Sequence, residues 1–111
     1  SYRVTHTRGG TIRDDANARL AKACGKSDLE GAERAIKDGA DVNRTEAYGT
    51  TLLMSAAKEG RAEIAELLAK HGAKVLLRNS FGKTAVDYAE ENSFSDIAKA
   101  LKERAELEKY L

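Results

Sequence analysis

The sequence contains no proline, and it has a single cysteine among its 111 residues. One cysteine cannot form a disulfide within the chain, which favours a reducing, cytoplasmic location. An exported protein that has lost its leader is the alternative, because the chain starts at Ser1 without a methionine. A chain of this length can bury enough apolar surface to fold as one domain without a bridge.

The sequence also lacks an excess of one charge and any long apolar run. Nineteen Lys and Arg residues face 18 Asp and Glu residues, which leaves a net charge of +1. This balance argues against a general electrostatic affinity for nucleic acid or for an anionic membrane. No apolar run approaches the roughly 18 residues that cross a bilayer, and the N-terminus shows no signal-peptide core.

An internal repeat of 33 residues organises most of the chain. Self-similarity at a fixed period of this length is the sequence signature of stacked structural units. The shared register extends from about residue 17 to about residue 104. The positions that recur include Gly39 and Gly72, Ala40 and Ala73, Val42 and Val75, Gly49 and Gly82, Thr51 and Thr84, and Ala23, Ala56 and Ala89.

Each unit predicts two short helices. In the central unit, apolar residues at helical spacing follow Thr51, Gly60 interrupts them, and a second apolar stripe begins at Ile64. The equivalent positions Ser27, Gly60 and Ser93 are predicted N-caps of the second helices, because an acid lies three residues after each of them.

Glycines mark the ends of the second helices and the segments between units. Gly39 and Gly72 are predicted to end those helices in the left-handed conformation. The third unit has no such glycine, so its last helix is predicted to continue to about Lys109. The connecting segments, residues 40–50 (first finger) and 73–83 (second finger), each contain an aromatic residue followed by glycine, which favours a tight turn in an extended hairpin.

The central unit closely resembles an ankyrin repeat, with GTTLLMSAAKEG at 49–60, EIAELL at 63–68 and GAKV at 72–75. The resemblance implies an all-α repeat solenoid, in which about three stacked ankyrin-type helix-turn-helix units are joined by two extended β-hairpin fingers. The chain departs from the family in having no proline after Thr51 or Thr84, which leaves the first turn of each inner helix less rigid.

Residues 1–13 do not fit the repeat and are predicted to be a separate basic segment, because they contain three arginines and no acid. Their β-branched residues and paired glycines favour a hairpin or an extended arm, which would be ordered only by docking. A leader or the remnant of a preceding domain is one interpretation, and an arm that pairs between subunits or covers the first repeat is the other. The repeat domain is predicted at residues 14–111, with units at approximately 14–48, 49–81 and 82–111.

No group of residues predicts catalysis or metal binding. Cys24 aligns with Ala57, a small helix position that is predicted to be buried. His6 and His71 have no cysteine or histidine neighbour at metal-ligand spacing, and His71 fits the end of a helix. The carboxylates at positions 90 and 91 diverge by about 100° on a helix. The chain is therefore predicted to be no enzyme and to hold neither a metal nor a cofactor.

The resemblance to ankyrin repeats implies that the chain binds a protein or peptide through its fingers and the concave face of its inner helices. Aromatic and arginine side chains commonly dominate interface energies, so Tyr48, Arg78 and Phe81 are the preferred anchors. Packing of Tyr48 and Phe81 between adjacent fingers is the alternative. The family's contact positions fall on Thr45, Ala47, Tyr48 and Thr50 in the first finger, Arg78, Ser80, Phe81 and Lys83 in the second, and Met54, Lys58, Glu59, Glu91 and Asn92 on the inner helices.

Two consecutive leucines, Leu76 and Leu77, break the repeat, because the first unit has Asn43 and an arginine at the equivalent positions. They are predicted either to pack locally, against Phe81, or to meet a partner, and local packing is favoured. The C-terminal apolar residues with two interpretations, a cap on the last unit or a contact between chains, are Leu107, Tyr110 and Leu111.

Self-association is the second function class that the sequence predicts. A structural or designed repeat module would join identical chains through the N-terminal arm, Leu76 and Leu77, or the C-terminal helix, so a monomer and a weak homo-oligomer are both expected states. Nucleic-acid binding by the basic segment is the third interpretation, and it would depend steeply on salt. No contact with a membrane is predicted.

Overall fold

The computed structural model describes residues 12–110. Within that range the chain forms six helices and a short 3₁₀ turn at Ala47–Gly49, and none of the helices is long and apolar enough to span a membrane. The helices are α1 (Ile12–Gly25), α2 (Leu29–Lys37), α3 (Leu52–Glu59), α4 (Ala62–Lys70), α5 (Ala85–Glu91) and α6 (Ser95–Glu108).

The helices are arranged as three antiparallel pairs stacked in a row. The members of each pair pack together, and contacts between pairs join α1, α3 and α5 into an inner row and α2, α4 and α6 into an outer row. The described chain measures 47 × 28 × 28 Å, so the stack is elongated. This arrangement confirms the predicted all-α repeat of helical pairs.

Small residues allow the inner helices to pack closely. Ala23, Ala56 and Ala89 occupy the same position in α1, α3 and α5, and all three are buried. The space behind them is filled by larger side chains, of which Leu53 and Leu68 are almost fully buried. Close packing of this kind is typical of protein interiors, where a single added methylene already costs stability.

The same three alanines also close the turns within the pairs. Their carbonyl oxygens accept hydrogen bonds from the backbone N–H groups of Asp28, Arg61 and Phe94, at 2.8, 2.9 and 2.8 Å. This six-to-one bond is the mark of a Schellman turn, which needs a left-handed residue just before the donor. That residue is Ser27, Gly60 or Ser93, with φ of 56°, 75° and 64°.

The predicted N-caps of the outer helices were therefore wrong by one residue. Ser27, Gly60 and Ser93 end the preceding helix, and the caps are the next residues along the chain. Only Asp28 among those caps provides a side-chain acceptor, which receives the Gly31 N–H at 3.0 Å. The acid that motivated the prediction instead lies in the first turn, where its charge favours the helix dipole.

The C-terminal ends of the outer helices lie where the sequence predicts them. Gly39 and Gly72 have φ of 103° and 97°, and the residue after each donates its N–H back into the helix, at 3.0 and 2.9 Å. Helix α6, which has no such glycine, continues to Glu108 and is capped by Lys109. Both predictions are confirmed.

The two fingers are not β-hairpins. The structure assigns no strand between residues 12 and 110, and the first finger has only an isolated antiparallel bridge, which joins Thr45 to Thr51 just beyond the finger. In the second finger the Asn79 side-chain oxygen accepts the N–H groups of Phe81 and Lys83, at 2.9 and 3.1 Å. A side chain thus satisfies donors that a longer ladder would have paired, and the fingers are compact turns.

Polar side chains fix the bases of the fingers. Asn43 joins the two fingers, because its Nδ2 donates to the Gly72 carbonyl at 3.2 Å and its Oδ1 accepts the Lys74 N–H at 2.8 Å. Glu108, at the end of α6, accepts the Val75 N–H at 2.6 Å, and Asn17 of α1 likewise accepts the Asp41 N–H. Backbone donors at both finger bases are therefore held by side chains from other parts of the stack.

Helix α1 begins at Ile12, two residues before the predicted start of the repeat domain. The last two residues of the predicted N-terminal arm are therefore helical rather than extended. The remainder of the arm, residues 1–11, lies outside the described range, as does Leu111. The predicted division into units stays a prediction.

We expect Gly60→Ala to lower the free energy of unfolding by about 1 to 3 kcal/mol, as measured by urea denaturation. A side chain is disfavoured at its φ of 75°, and an added Cβ would lie 2.5 Å from the Phe94 ring. Gly25→Ala is the control. Gly25 is the last residue of α1, and a Cβ added there has no atom within 4 Å. Equal losses in the two variants would contradict the proposed role of the turn.

Candidate functional site

The tips of the two fingers meet through their aromatic residues. Tyr48 and Phe81 are 67% and 62% exposed, and their ring centroids lie 5.4 Å apart at an interplanar angle of 42°. A backbone hydrogen bond from the Ser80 N–H to the Tyr48 carbonyl, at 2.8 Å, joins the same two turns. The rings therefore pack on each other, as the alternative interpretation predicted, and still present apolar surface to solvent.

Arg78 has a structural contact at the second fingertip. Its Nη1 donates to the Gly82 carbonyl at 2.7 Å and braces the turn, while the side chain remains exposed. Of the other predicted finger contacts, Thr50 and Lys83 are half-buried, and the exposed ones are Thr45, Ala47 and Ser80.

Met54 cannot contact a partner, contrary to the prediction. Its side chain is only 1% exposed, because it belongs to the core. Its sulfur accepts the Thr51 N–H at 3.4 Å, and the Thr51 hydroxyl accepts the Met54 N–H at 3.1 Å. This reciprocal pair caps α3 and turns the methionine inward.

The two leucines of the second finger have different environments. Leu77 is half-buried and packs against the hydrophobic core, whereas Leu76 is 49% exposed. The local packing predicted for the pair therefore applies to Leu77, although it is the core that receives the side chain. Leu76 adds to the apolar surface of the second finger.

Tyr88 of α5 was not among the predicted contacts, yet it lies at the centre of the polar part of this surface. The ammonium groups of Lys58 and Lys83 lie 5.9 and 5.6 Å from its ring centroid, and its hydroxyl accepts the Asn79 Nδ2 at 2.7 Å. The repeat could have identified it, because Tyr88 precedes Glu91, the equivalent of Lys58, by three residues and so shares its helix face.

The remaining inner-helix contacts are exposed, and some have local partners. Lys83 forms an ion pair with Glu91 at 2.7 Å, and this carboxylate raises the pKa of the Lys83 ammonium. The group therefore stays charged at neutral pH. Asn92 donates to the Tyr88 carbonyl at 2.9 Å, and Lys58 and Glu59 are exposed at the end of α3.

The histidine and the carboxylate that the sequence analysis examined for catalysis or metal binding make contacts that stabilise the fold. His71 caps the end of α4, and its Nε2 lies 4.0 Å from a Glu33 carboxylate oxygen of the neighbouring pair. Glu90 forms an ion pair with Lys102 at 2.6 Å, so it faces away from its neighbour Glu91. Between residues 12 and 110, no group of three or more His, Cys, Asp or Glu side chains is arranged to hold a metal ion.

Cys24 is buried, with 5% of its surface exposed. Burial raises the pKa of its thiol from 9.0 to about 11, with smaller opposing effects from the charges of Arg61 and Glu46. The thiol is therefore neutral at physiological pH, which disfavours a nucleophilic role.

We expect Cys24 to react slowly with an aromatic disulfide reagent at pH 8 and at once in urea, since only about one thousandth of a thiol with its raised pKa is ionised at that pH. The raised pKa also favours the folded state below pH 9.0, and this contribution is lost as the pH rises to about 11, because the unfolded chain releases its proton first. Comparison with Cys24→Ala isolates that loss. Labelling of the folded chain within the mixing time would contradict the prediction.

Comparison with known proteins gives one family and several relatives. A sequence model of ankyrin repeats matches residues 20–110 in three copies. The potassium channel AKT1 of Oryza sativa is 39% identical over 72 residues, which are 65% of this chain and 8% of the channel.

Two further relatives have other activities in their names. The putative E3 ubiquitin-protein ligase XBAT34 of Arabidopsis thaliana is 34% identical over 85 residues, covering 74% of this chain and 23% of the ligase. The 2-5A-dependent ribonuclease of Mus musculus is 36% identical over 74 residues, covering 66% and 10%. The chain therefore spans less than a quarter of each of these proteins.

Proposed function

Because the chain belongs to the ankyrin-repeat family, we propose that it is a non-catalytic module that binds a protein or peptide through its two fingers and the exposed face of its inner helices. The observation that carries this proposal is the exposed pair of rings at the fingertips, Tyr48 and Phe81. Large exposed aromatic residues are typical of interface anchors.

The fingertips are already ordered, so a partner that binds them causes only a small loss of conformational entropy. The Ser80 to Tyr48 backbone bond, the Arg78 brace and the ring contact all restrict the two turns. A surface that is already ordered loses less conformational freedom when a partner binds. The proposed surface comprises Thr45, Ala47, Tyr48, Thr50, Lys58, Glu59, Leu76, Leu77, Arg78, Ser80, Phe81, Lys83, Tyr88, Glu91 and Asn92.

The cytoplasm is the proposed compartment, and residues 14–111 are the proposed repeat domain. The single cysteine, which is buried and unpaired, supports the first proposal because it suits a reducing environment. The family match over residues 20–110 supports the second.

We expect the double variant Tyr48→Ser/Phe81→Ser to lose its partner while it keeps its stability. Interface anchors commonly contribute 2 kcal/mol or more each, so the loss of one ring should lower affinity about thirtyfold and the loss of both should lower it further. Affinity purification from an extract of the source organism, with quantitative mass spectrometry, measures the loss. The melting temperature should change little, because both rings are mostly exposed.

Leu107→Ser/Tyr110→Ser is the matched control, because it removes two other exposed apolar residues, 56% and 85% exposed, from the end of the stack. Partners retained by this control and lost by the fingertip variant support the proposal. If both variants retain the same proteins, the fingertips are not the binding surface, and if the fingertip variant unfolds, the two rings belong to the core rather than to an interface.

Self-association is the second candidate function, and the exposure of Leu107 and Tyr110 near the end of α6 favours it. We expect sedimentation equilibrium between about 1 and 100 µM to show a concentration-dependent mass that Leu107→Ser/Tyr110→Ser abolishes, since loss of apolar contact area weakens association. A strict monomer over this range excludes the candidate.

A further inference from the structure

Two lysines, one from a helix and one from a finger, converge on the ring of Tyr88. Lys58 reaches it from the end of α3, and Lys83 reaches it from the second finger, at 5.9 and 5.6 Å from the centroid. The Lys83 ammonium is balanced by Glu91, whereas Lys58 makes no ion pair with any residue between 12 and 110. The ring therefore positions one exposed cation whose charge is uncompensated.

This cationic site is continuous with the fingertips. Asn79 is buried, with only 7% of its surface exposed. Its side-chain nitrogen donates to the Tyr88 hydroxyl, and its side-chain oxygen accepts the N–H groups of Phe81 and Lys83. One buried amide thus fixes the aromatic fingertip relative to the lysine-flanked tyrosine. The fingertip and the lysine-flanked tyrosine are therefore parts of one connected surface.

The acids near this surface do not cancel its charge. Lys58, Arg78 and Lys83 contribute three positive charges, and Glu91 and Asp87, whose carboxylates both act on the Lys83 ammonium, contribute two negative charges, which leaves 3 − 2 = +1. Glu59 follows Lys58 on α3 and so points about 100° away. The carboxylate of the first finger, Glu46, is close enough to the Cys24 thiol of α1 for its charge to raise the pKa of that thiol.

We propose that the partner is an acidic peptide segment, in which a large apolar side chain packs on Tyr48 and Phe81 and an Asp or Glu carboxylate pairs with Lys58. This inference rests on the proposed function and specifies the chemistry of its partner. A carboxylate fits the site better than a nucleic acid does, because a phosphate backbone needs a row of cations, whereas this surface offers two that form no ion pair with a described residue, Lys58 and Arg78. Opposite charge at such a site favours the correct partner and speeds association.

The experiment begins with a random library of 12-residue peptides displayed on phage and selected on the intact chain. The enriched peptides should contain Asp or Glu together with a large apolar residue, at several times the frequency in the unselected library. The best peptide is then synthesised with each acid intact and with each acid replaced by its amide, and its affinity is measured by fluorescence anisotropy.

Lys58→Gln should weaken binding of the acidic peptide by about threefold to fivefold at ~50 mM salt, as expected for an exposed ion pair. Replacing the matching acid of the peptide should cause the same loss, and combining both changes should cause little more, because the second change removes a contact already lost. The difference should shrink at ~500 mM salt. Lys37→Gln is the control, since it removes the same charge from the exposed outer helix α2.

The alternative outcomes are distinct. Enriched peptides without acids, no enrichment at all, or equal effects of Lys58→Gln and Lys37→Gln would overturn the acidic partner. Peptides that bind without acids but lose affinity in Tyr48→Ser/Phe81→Ser would still support the proposed function, whereas peptides insensitive to that variant would contradict it. Tighter binding of a 20-residue oligothymidylate, lost in Lys58→Gln and at high salt, would replace the peptide with a nucleic acid.

Discussion

The architecture depends on one alanine in each helical pair. Ala23, Ala56 and Ala89 bring the inner helices together with their small side chains, and their carbonyl oxygens hold the turn that reverses the chain. A larger residue at these positions would separate the inner helices and move the fingers apart. The contact between the Tyr48 and Phe81 rings thus depends on atoms in the middle of the stack, and the recurrence of alanine every 33 residues has a double physical cause.

Features that depend on spacing could be predicted from the sequence, and features that depend on a particular side chain could not. The period located the helices and the left-handed Gly39 and Gly72, because helical periodicity and glycine at a helix end are local signals. The aromatic-glycine pairs predict hairpins because they suit a tight turn, but in the second finger the Asn79 amide satisfies donors that a strand would pair. Met54 was assigned to the surface by its place in the repeat, and its role as a sulfur cap could not be inferred from that register.

The candidate surface combines a constant framework with residues peculiar to this chain. Ankyrin repeats supply the stacked pairs, and the family match accounts for them. The aromatic fingertips recur in both fingers, whereas the tyrosine between two lysines comes from a position where the repeats of this chain differ, because Tyr88 replaces Ser55. A position that varies between repeats on a constant framework is where a repeat protein acquires its specificity.

The bond between Glu108 and the Val75 amide gives the C-terminal turn of α6 a role away from its own helix. If that turn unwinds, the Val75 amide loses its acceptor, so opening of the helix end and loosening of the second finger are linked as one local unfolding event. Anything that holds or twists the end of α6 therefore acts mechanically on the finger that presents Phe81. The last turn of α6 therefore stabilises the second finger, which begins more than 30 residues earlier in the chain.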